Sequence, residues 1–142
     1  MKILLLVLAA LISYTQPAFA EVVSVPAPIE QVNSSMKIST GLGGHGSGSY
    51  IVYKDMHLVF TAQHVTDGPI GATYYVFKED EIKLATLIWS DAAADMAVLH
   101  LSEKFVTIDP MKWSPQNRLA EVGTEITYSG YPSSHKLMTF KG

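Results

Sequence analysis

The stretch LVFTAQHVTDG, Leu58 to Gly68, decides the reading of this chain. An apolar run, Leu58 to Phe60, leads through Thr61 and Ala62 to His64, and the turn-forming residues Thr66, Asp67 and Gly68 follow at once. Such a pattern predicts a buried strand that ends on an imidazole at a bend. A ring carried on the end of a strand is held by a rigid element, which proton-transfer chemistry requires. A histidine satisfied by a backbone carbonyl would leave the same trace, so the neighbouring segments must choose between the two.

Those segments read as strands. Ser49 to Lys54 and Met56 to Thr61 are rich in β-branched and aromatic residues and flank Lys54 and Asp55, which predicts a hairpin. Ala72 to Phe77, Ile82 to Trp89 and Met96 to Leu101 continue the series, with breaks at Lys78 to Glu81 and Ser90 to Asp95. Glu125 to Ser129 and Lys136 to Phe140 follow, separated by Gly130, Tyr131 and Pro132. Short strands with charged or Gly/Pro breaks and no sustained helical period predict an all-β barrel or sandwich. Trp89, Trp113, Tyr74, Tyr75 and Phe77 are expected in the core or in contacts between strands. Glu79, Asp80 and Glu81 are expected to form a solvated turn.

The ends of the chain follow other rules. Lys2, the apolar run Ile3 to Ile12 and the small-residue site Ala18 to Ala20 read as a signal peptide over residues 1–20. The apolar run is too short for a spanning helix, so no stable membrane anchor is expected once the signal is cleaved. Export to the periplasm or the cell exterior follows. Residues 21–40 carry Pro26, Pro28, Asn33, Ser34 and Ser35 and read as an extended leader, and Gly41 to Gly48 read as a glycine-rich entry to the first strand.

Composition narrows the function. The 142 residues hold 10 Lys plus Arg against 13 Asp plus Glu, a formal charge of −3. No basic run stands out, so no nucleic-acid partner is expected. With 0 cysteines the chain has no disulfide to stabilise it outside the cell. His45, His57, His64, His100 and His135 show no i, i+4 pair of the zincin kind, so neither a metal site nor a cofactor is expected.

Two features favour chemistry at His64. In DAAADMAVLHL, Asp91 to Leu101, Asp95 stands directly before a run that predicts a buried strand, where a carboxylate can fix the tautomer of an imidazole. Asp91 is the competing carboxylate and is assigned to the solvated loop. In GSGSYIV, Gly46 to Val52, glycines flank a serine at a strand mouth and permit close backbone approach.

Taken together, GSGSYIV, FTAQHV with His64, DMAVLHL with Asp95, and VGTEITYSGYP over Val122 to Pro132 resemble the trypsin-like, chymotrypsin-fold serine proteases. Within these they resemble the disulfide-free bacterial HtrA-like and glutamyl-endopeptidase-like branch. The order of the blocks and the interval of 31 residues from His64 to Asp95 carry the resemblance.

The resemblance implies a double β-barrel, a protein or peptide substrate, His64 as general base and Asp95 as its orienter. It also implies a serine nucleophile in a Gly-Asp-Ser-Gly-Gly or Gly-Asn-Ser-Gly-Gly motif, and no G-x-S-G occurs in the sequence. Ser47 precedes His64, against the family order; Ser129 has a glycine, Gly130, on one side only, and Ser133 and Ser134 have none beside them, so none has the flanking glycines that would shape an oxyanion hole. The nucleophile is therefore expected beyond Gly142. Residues 41–142 would then be an incomplete peptidase domain, with the first barrel complete and the second only begun, and inactive by itself. A barrel that has lost its serine and serves as a binding module is the alternative.

Overall fold

A computed structural model describes residues 23–24, 28–40, 43–111, 121–133 and 136–142. In chain order its elements are β1 (Val23–Ser24), α1 (Ile29–Ser34), β2 (Ser35–Ser39), β3 (His45–Tyr53), β4 (Met56–Thr61), a 3-10 turn (Gln63–Val65), β5 (Thr73–Lys78), β6 (Glu81–Asp91), β7 (Met96–Leu101), β8 (Thr127–Gly130) and β9 (Met138–Lys141). Six strands close into an antiparallel barrel in the order β2-β3-β4-β7-β6-β5, and β1, β9 and β8 form a separate three-stranded sheet. The fold is all-β, with one complete barrel and a second sheet only begun, as the resemblance implies. Among the described residues no helix is long and apolar enough to cross a membrane.

Alternation builds the barrel core. Along β7, Ala97, Leu99 and Leu101 are buried inside, while His100 between them is half-buried on the outer face. Val59 and Leu99 are paired across β4 and β7, and Leu87 is paired with Leu99 across β6 and β7; all three are fully buried. Closure removes the unpaired strand edges that an open sheet would leave. A smaller cluster on the outer face joins Ile51, Leu58 and Val98, with Phe60 and Met111 packed against it. Met111 is held there by its amide, which donates to the Tyr50 carbonyl at 2.8 Å.

The hairpin predicted around Lys54 and Asp55 is present. Tyr53 pairs with Met56, and both turn residues have positive φ, 46° and 64°, the twist that two-residue hairpins require. At the β5–β6 turn only Glu79 and Asp80 lie between the paired residues Lys78 and Glu81. Glu81 is not a solvated turn residue. Its carboxylate accepts from the amides of Val106 and Thr107 and from the Thr107 hydroxyl, and these bonds fix a loop whose Phe105 and Ile108 are buried in the core.

The extended leader expected over residues 21–40 is corrected here. Ser35–Ser39 is a barrel strand, paired with β3 on one side and β5 on the other, and a short helix precedes it. Met36 and Ile38 alternate into the core at 0% exposure, but two apolar residues among serines and a lysine are a faint strand signal. Further upstream, Val23 and Ser24 pair with Lys141 and Phe140 in the second sheet. Buried Lys78 locks helix and strand together by donating to the carbonyls of Val32 and Ser35, and burial pushes its ammonium pKa down.

Of the glycine-rich entry, Gly46 and Gly48 lie within β3 and Gly43 and Gly44 just before it, while Gly41 lies outside the described residues. A Cβ at Gly46 would lie 2.5 Å from both γ-carbons of Val65, and one at Gly48 would lie 2.8 Å from the Phe60 carbonyl oxygen. Of the aromatic residues expected in packing, Tyr74 is buried, whereas Tyr75 and Trp89 are on the exposed outer surface. Phe77 lies beside Tyr75, with the Lys37 ammonium over its ring. The signal-peptide reading of residues 1–20 and the reading of Trp113 lie outside the described residues.

Candidate active site

Strand register explains why two residues so far apart in sequence meet. β4 and β7 are antiparallel neighbours, with Thr61 opposite Ala97. His64 lies just past the end of β4 and Asp95 just before the start of β7, so both fall at the same end of the barrel. Between them the chain is pinned. Ala62 is extended, the Val65 amide donates to the Ala62 carbonyl and the Thr66 amide to the Gln63 carbonyl. Val65 and Thr66 are buried, and the turn they anchor leaves the His64 side chain 72% exposed.

The Asp95 carboxylate grips His64 twice. Its Oδ2 is 2.8 Å and its Oδ1 3.0 Å from the ring Nδ1, and Oδ1 also accepts from the His64 backbone amide at 3.0 Å. With two carboxylate oxygens against it, Nδ1 carries the proton and donates, which leaves Nε2 of the neutral ring with a lone pair. The His64 amide first, and then the ring, hold the Asp95 carboxyl below its usual range. A contact this exposed adds little to stability, so its consequence is the orientation and tautomer of the ring.

The other candidates are engaged elsewhere. Asp91 Oδ1 accepts from the amides of Ala93 at 2.8 Å and Ala94 at 3.2 Å, within its own turn. Ser47 Oγ accepts from the Tyr131 amide at 2.7 Å, and Ser129 Oγ lies 2.6 Å from Thr139 Oγ1. His45 Nε2 donates to the carbonyls of Tyr131 and Pro132, and His57 Nδ1 is hydrogen-bonded to the buried Tyr50 hydroxyl at 2.6 Å. Among the described residues no group of three or more His, Asp or Glu could hold a metal ion. Ser134 and His135 lie outside them.

Contacts across the two sheets set the second against the barrel. Besides the Ser47 and His45 bonds to the segment after β8, the Gln31 amide of α1 lies between the hydroxyls of Thr127 and Ser129, at 2.9 and 3.0 Å. Gly130 lies close against β3, since a Cβ there would lie 3.0 Å from Ser47 Oγ.

A histidine at the end of a barrel strand, oriented by a carboxylate from the next strand, beside the beginnings of a second barrel, is an arrangement with known relatives. The family model for trypsin matches residues 22–140, most of the chain. The chain belongs to the trypsin family. Solved structures with the same fold include the Rv3671c protease in an inactive form, 24% identical with a TM-score of 0.58; the match covers 82% of this chain and 58% of that one. A serine-to-alanine mutant of Rv3671c from M. tuberculosis H37Rv, also in an inactive form, is 23% identical with a TM-score of 0.62; here the match covers 84% and 57%. This trypsin-family chain thus spans less than two thirds of either relative, and at these identities the likeness is one of fold. No match occurs among curated proteins.

Sequence reasoning located His64 and Asp95 in this trypsin-family barrel but missed three features. The bond from the His64 backbone amide to Asp95 carries no sequence signal, because any residue at that position has the same amide. The docking of Ser47 on Tyr131 was equally hidden. The turn built by Asp91 was legible in principle, since an aspartate at a strand end followed by small residues is an Asx-turn signal.

Proposed function

We propose that this chain supplies the general base and its orienting carboxylate to a serine endopeptidase of the HtrA-like and glutamyl-endopeptidase-like branch, with His64 as base and Asp95 as orienter. The observation that carries the reading is the 2.8 Å bond between His64 Nδ1 and Asp95 Oδ2. It commits Nδ1–H to the carboxylate and frees Nε2 to take a proton. The nucleophile is a serine encoded after Gly142, because no G-x-S-G lies in the chain, and Ser47 and Ser129 are bonded elsewhere.

The chemistry follows from these roles. The serine Oγ forms a bond to the peptide carbonyl carbon while its proton passes to Nε2, and the carbonyl electron pair moves onto oxygen. Collapse of that intermediate breaks the C–N bond, and the leaving amine takes the proton from Nε2. Water then repeats the sequence on the acyl enzyme. Asp95 stays ionised throughout and stabilises the imidazolium each time it forms. The substrate is a protein or peptide met outside the cytoplasm, since residues 1–20 have the pattern of an export signal.

Reading the gene beyond codon 142 tests this. A Gly-Asp-Ser-Gly-Gly or Gly-Asn-Ser-Gly-Gly motif within about a hundred codons, the space a second barrel of ordinary domain size needs, is expected. A stop codon directly after Gly142 would leave His64 without a nucleophile and make the barrel a binding module instead.

A further inference from the structure

The loop from Ala92 to Asp95 presents a problem of its own. β6 and β7 close on the pair Asp91 and Met96, so Asp95 stands at the end of this loop, directly before the paired residue Met96. Its first three residues are alanines, whose side chains can bond to nothing. Its last, Asp95, has φ 51°, in the left-handed region that side chains adopt at a cost and that Asp tolerates better than most.

Within the turn, one side chain bonds its backbone. Asp91 Oδ1 accepts from the amides of both Ala93 and Ala94, the local side-chain-to-backbone arrangement by which aspartate shapes a turn. We infer that Asp91 is a positioning residue: it builds the turn from which the Asp95 carboxylate reaches His64. The functional meaning of this rests on the reading of His64 and Asp95 as base and orienter, whereas the geometry does not.

The role requires an acceptor oxygen and not a charge. The negative charge of Asp91 would, if anything, oppose the ionisation of a carboxylate placed nearby. Asparagine at 91 keeps an oxygen in the same place and alanine does not, and both remove the charge. A difference between the two variants therefore reports the turn alone.

The test is the titration of the Asp95 carboxyl, followed by carbon NMR in the 142-residue chain with Asp91, Asp91→Asn and Asp91→Ala. Asp95 should titrate below the ordinary aspartate range with Asp91 and with Asp91→Asn, and should move up towards that range in Asp91→Ala. Asp91→Ser, a shorter acceptor, should fall between. Matching Asp95 titrations in Asp91→Asn and Asp91→Ala would overturn the inference. In the full-length gene product, kcat/KM should fall about tenfold in Asp91→Ala with KM unchanged, the scale of a lost hydrogen bond or two, and recover in Asp91→Asn. Equal activity of those variants would overturn it as well. Should no variant turn over any peptide, the peptidase reading has failed, and the NMR comparison still decides the role of Asp91.

Discussion

Gly46→Ala is the change that best connects the barrel to the site. The new methyl would lie 2.5 Å from Cγ1 and Cγ2 of Val65 and 3.1 Å from its Cβ. Carbon atoms prefer about 3.5–4.0 Å, so the two residues must separate by about 1 Å. Rotation about χ1 of Val65 gives little relief, because both methyls are struck and a β-branched side chain has few alternatives. The strain must pass into the turn Gln63–Val65, which carries His64. Overpacking of this kind costs about 1–3 kcal/mol.

A double-mutant cycle with Val65→Ala isolates that cost. Val65→Ala alone removes two buried methyl groups and should destabilise by about 1.5 kcal/mol. In the double mutant both offending methyls are gone, so it should be more stable than the sum of the single changes by at least about 1 kcal/mol. Relief stays partial because the Cβ at 3.1 Å remains. Urea unfolding at neutral pH gives all four stabilities from the midpoints and slopes. Effects that add to within about 0.5 kcal/mol would refute the claim that Gly46 exists to admit Val65.

Other consequences can be checked on the same chain, or on a product that carries the proposed nucleophile. Leu99→Ala, at a fully buried position between Val59 and Leu87, should cost about 2–5 kcal/mol in urea unfolding; a loss below 1 would deny it a place in the core. Glu81 is held at a pKa of about 2 by the Thr107 hydroxyl first and then by the amides of Thr107 and Val106. A depressed carboxylate stabilises the fold fully above its ordinary value of 4.5, and that contribution is lost as pH falls through about 2. Glu81→Gln should therefore flatten the stability profile between those limits, and an unchanged slope would contradict the bonding described. On the proposed roles, Asp95→Asn should leave the melting temperature nearly unchanged but lower kcat of a product that carries the nucleophile by about 10⁴-fold, the loss expected when a triad aspartate becomes asparagine, because the amide favours the wrong tautomer of His64.

How much of this was legible in the sequence differs by element. Met56–Thr61 and Met96–Leu101 were readable to the residue, because each is a dense β-branched and apolar run with a turn signal at its end. His64 and Asp95 were readable because each sits at the limit of such a run. Ser35–Ser39 was hidden by its composition, since it becomes a strand through partners on both sides and not by its own propensity. Tyr75 and Trp89 misled in the other direction, being aromatic yet exposed. Glu81 looked like the end of an acidic turn because nothing local announces that its partners are the amides of residues 106 and 107.

The most direct test of the central claim is fluorophosphonate labelling of the full-length gene product, with the modified residue located by mass spectrometry. A single adduct is expected on a serine encoded beyond Gly142, lost when His64 is changed to alanine, with no adduct on the 142-residue chain. Labelling of Ser47 or Ser129, or labelling that persists in His64→Ala at an undiminished rate, would contradict it.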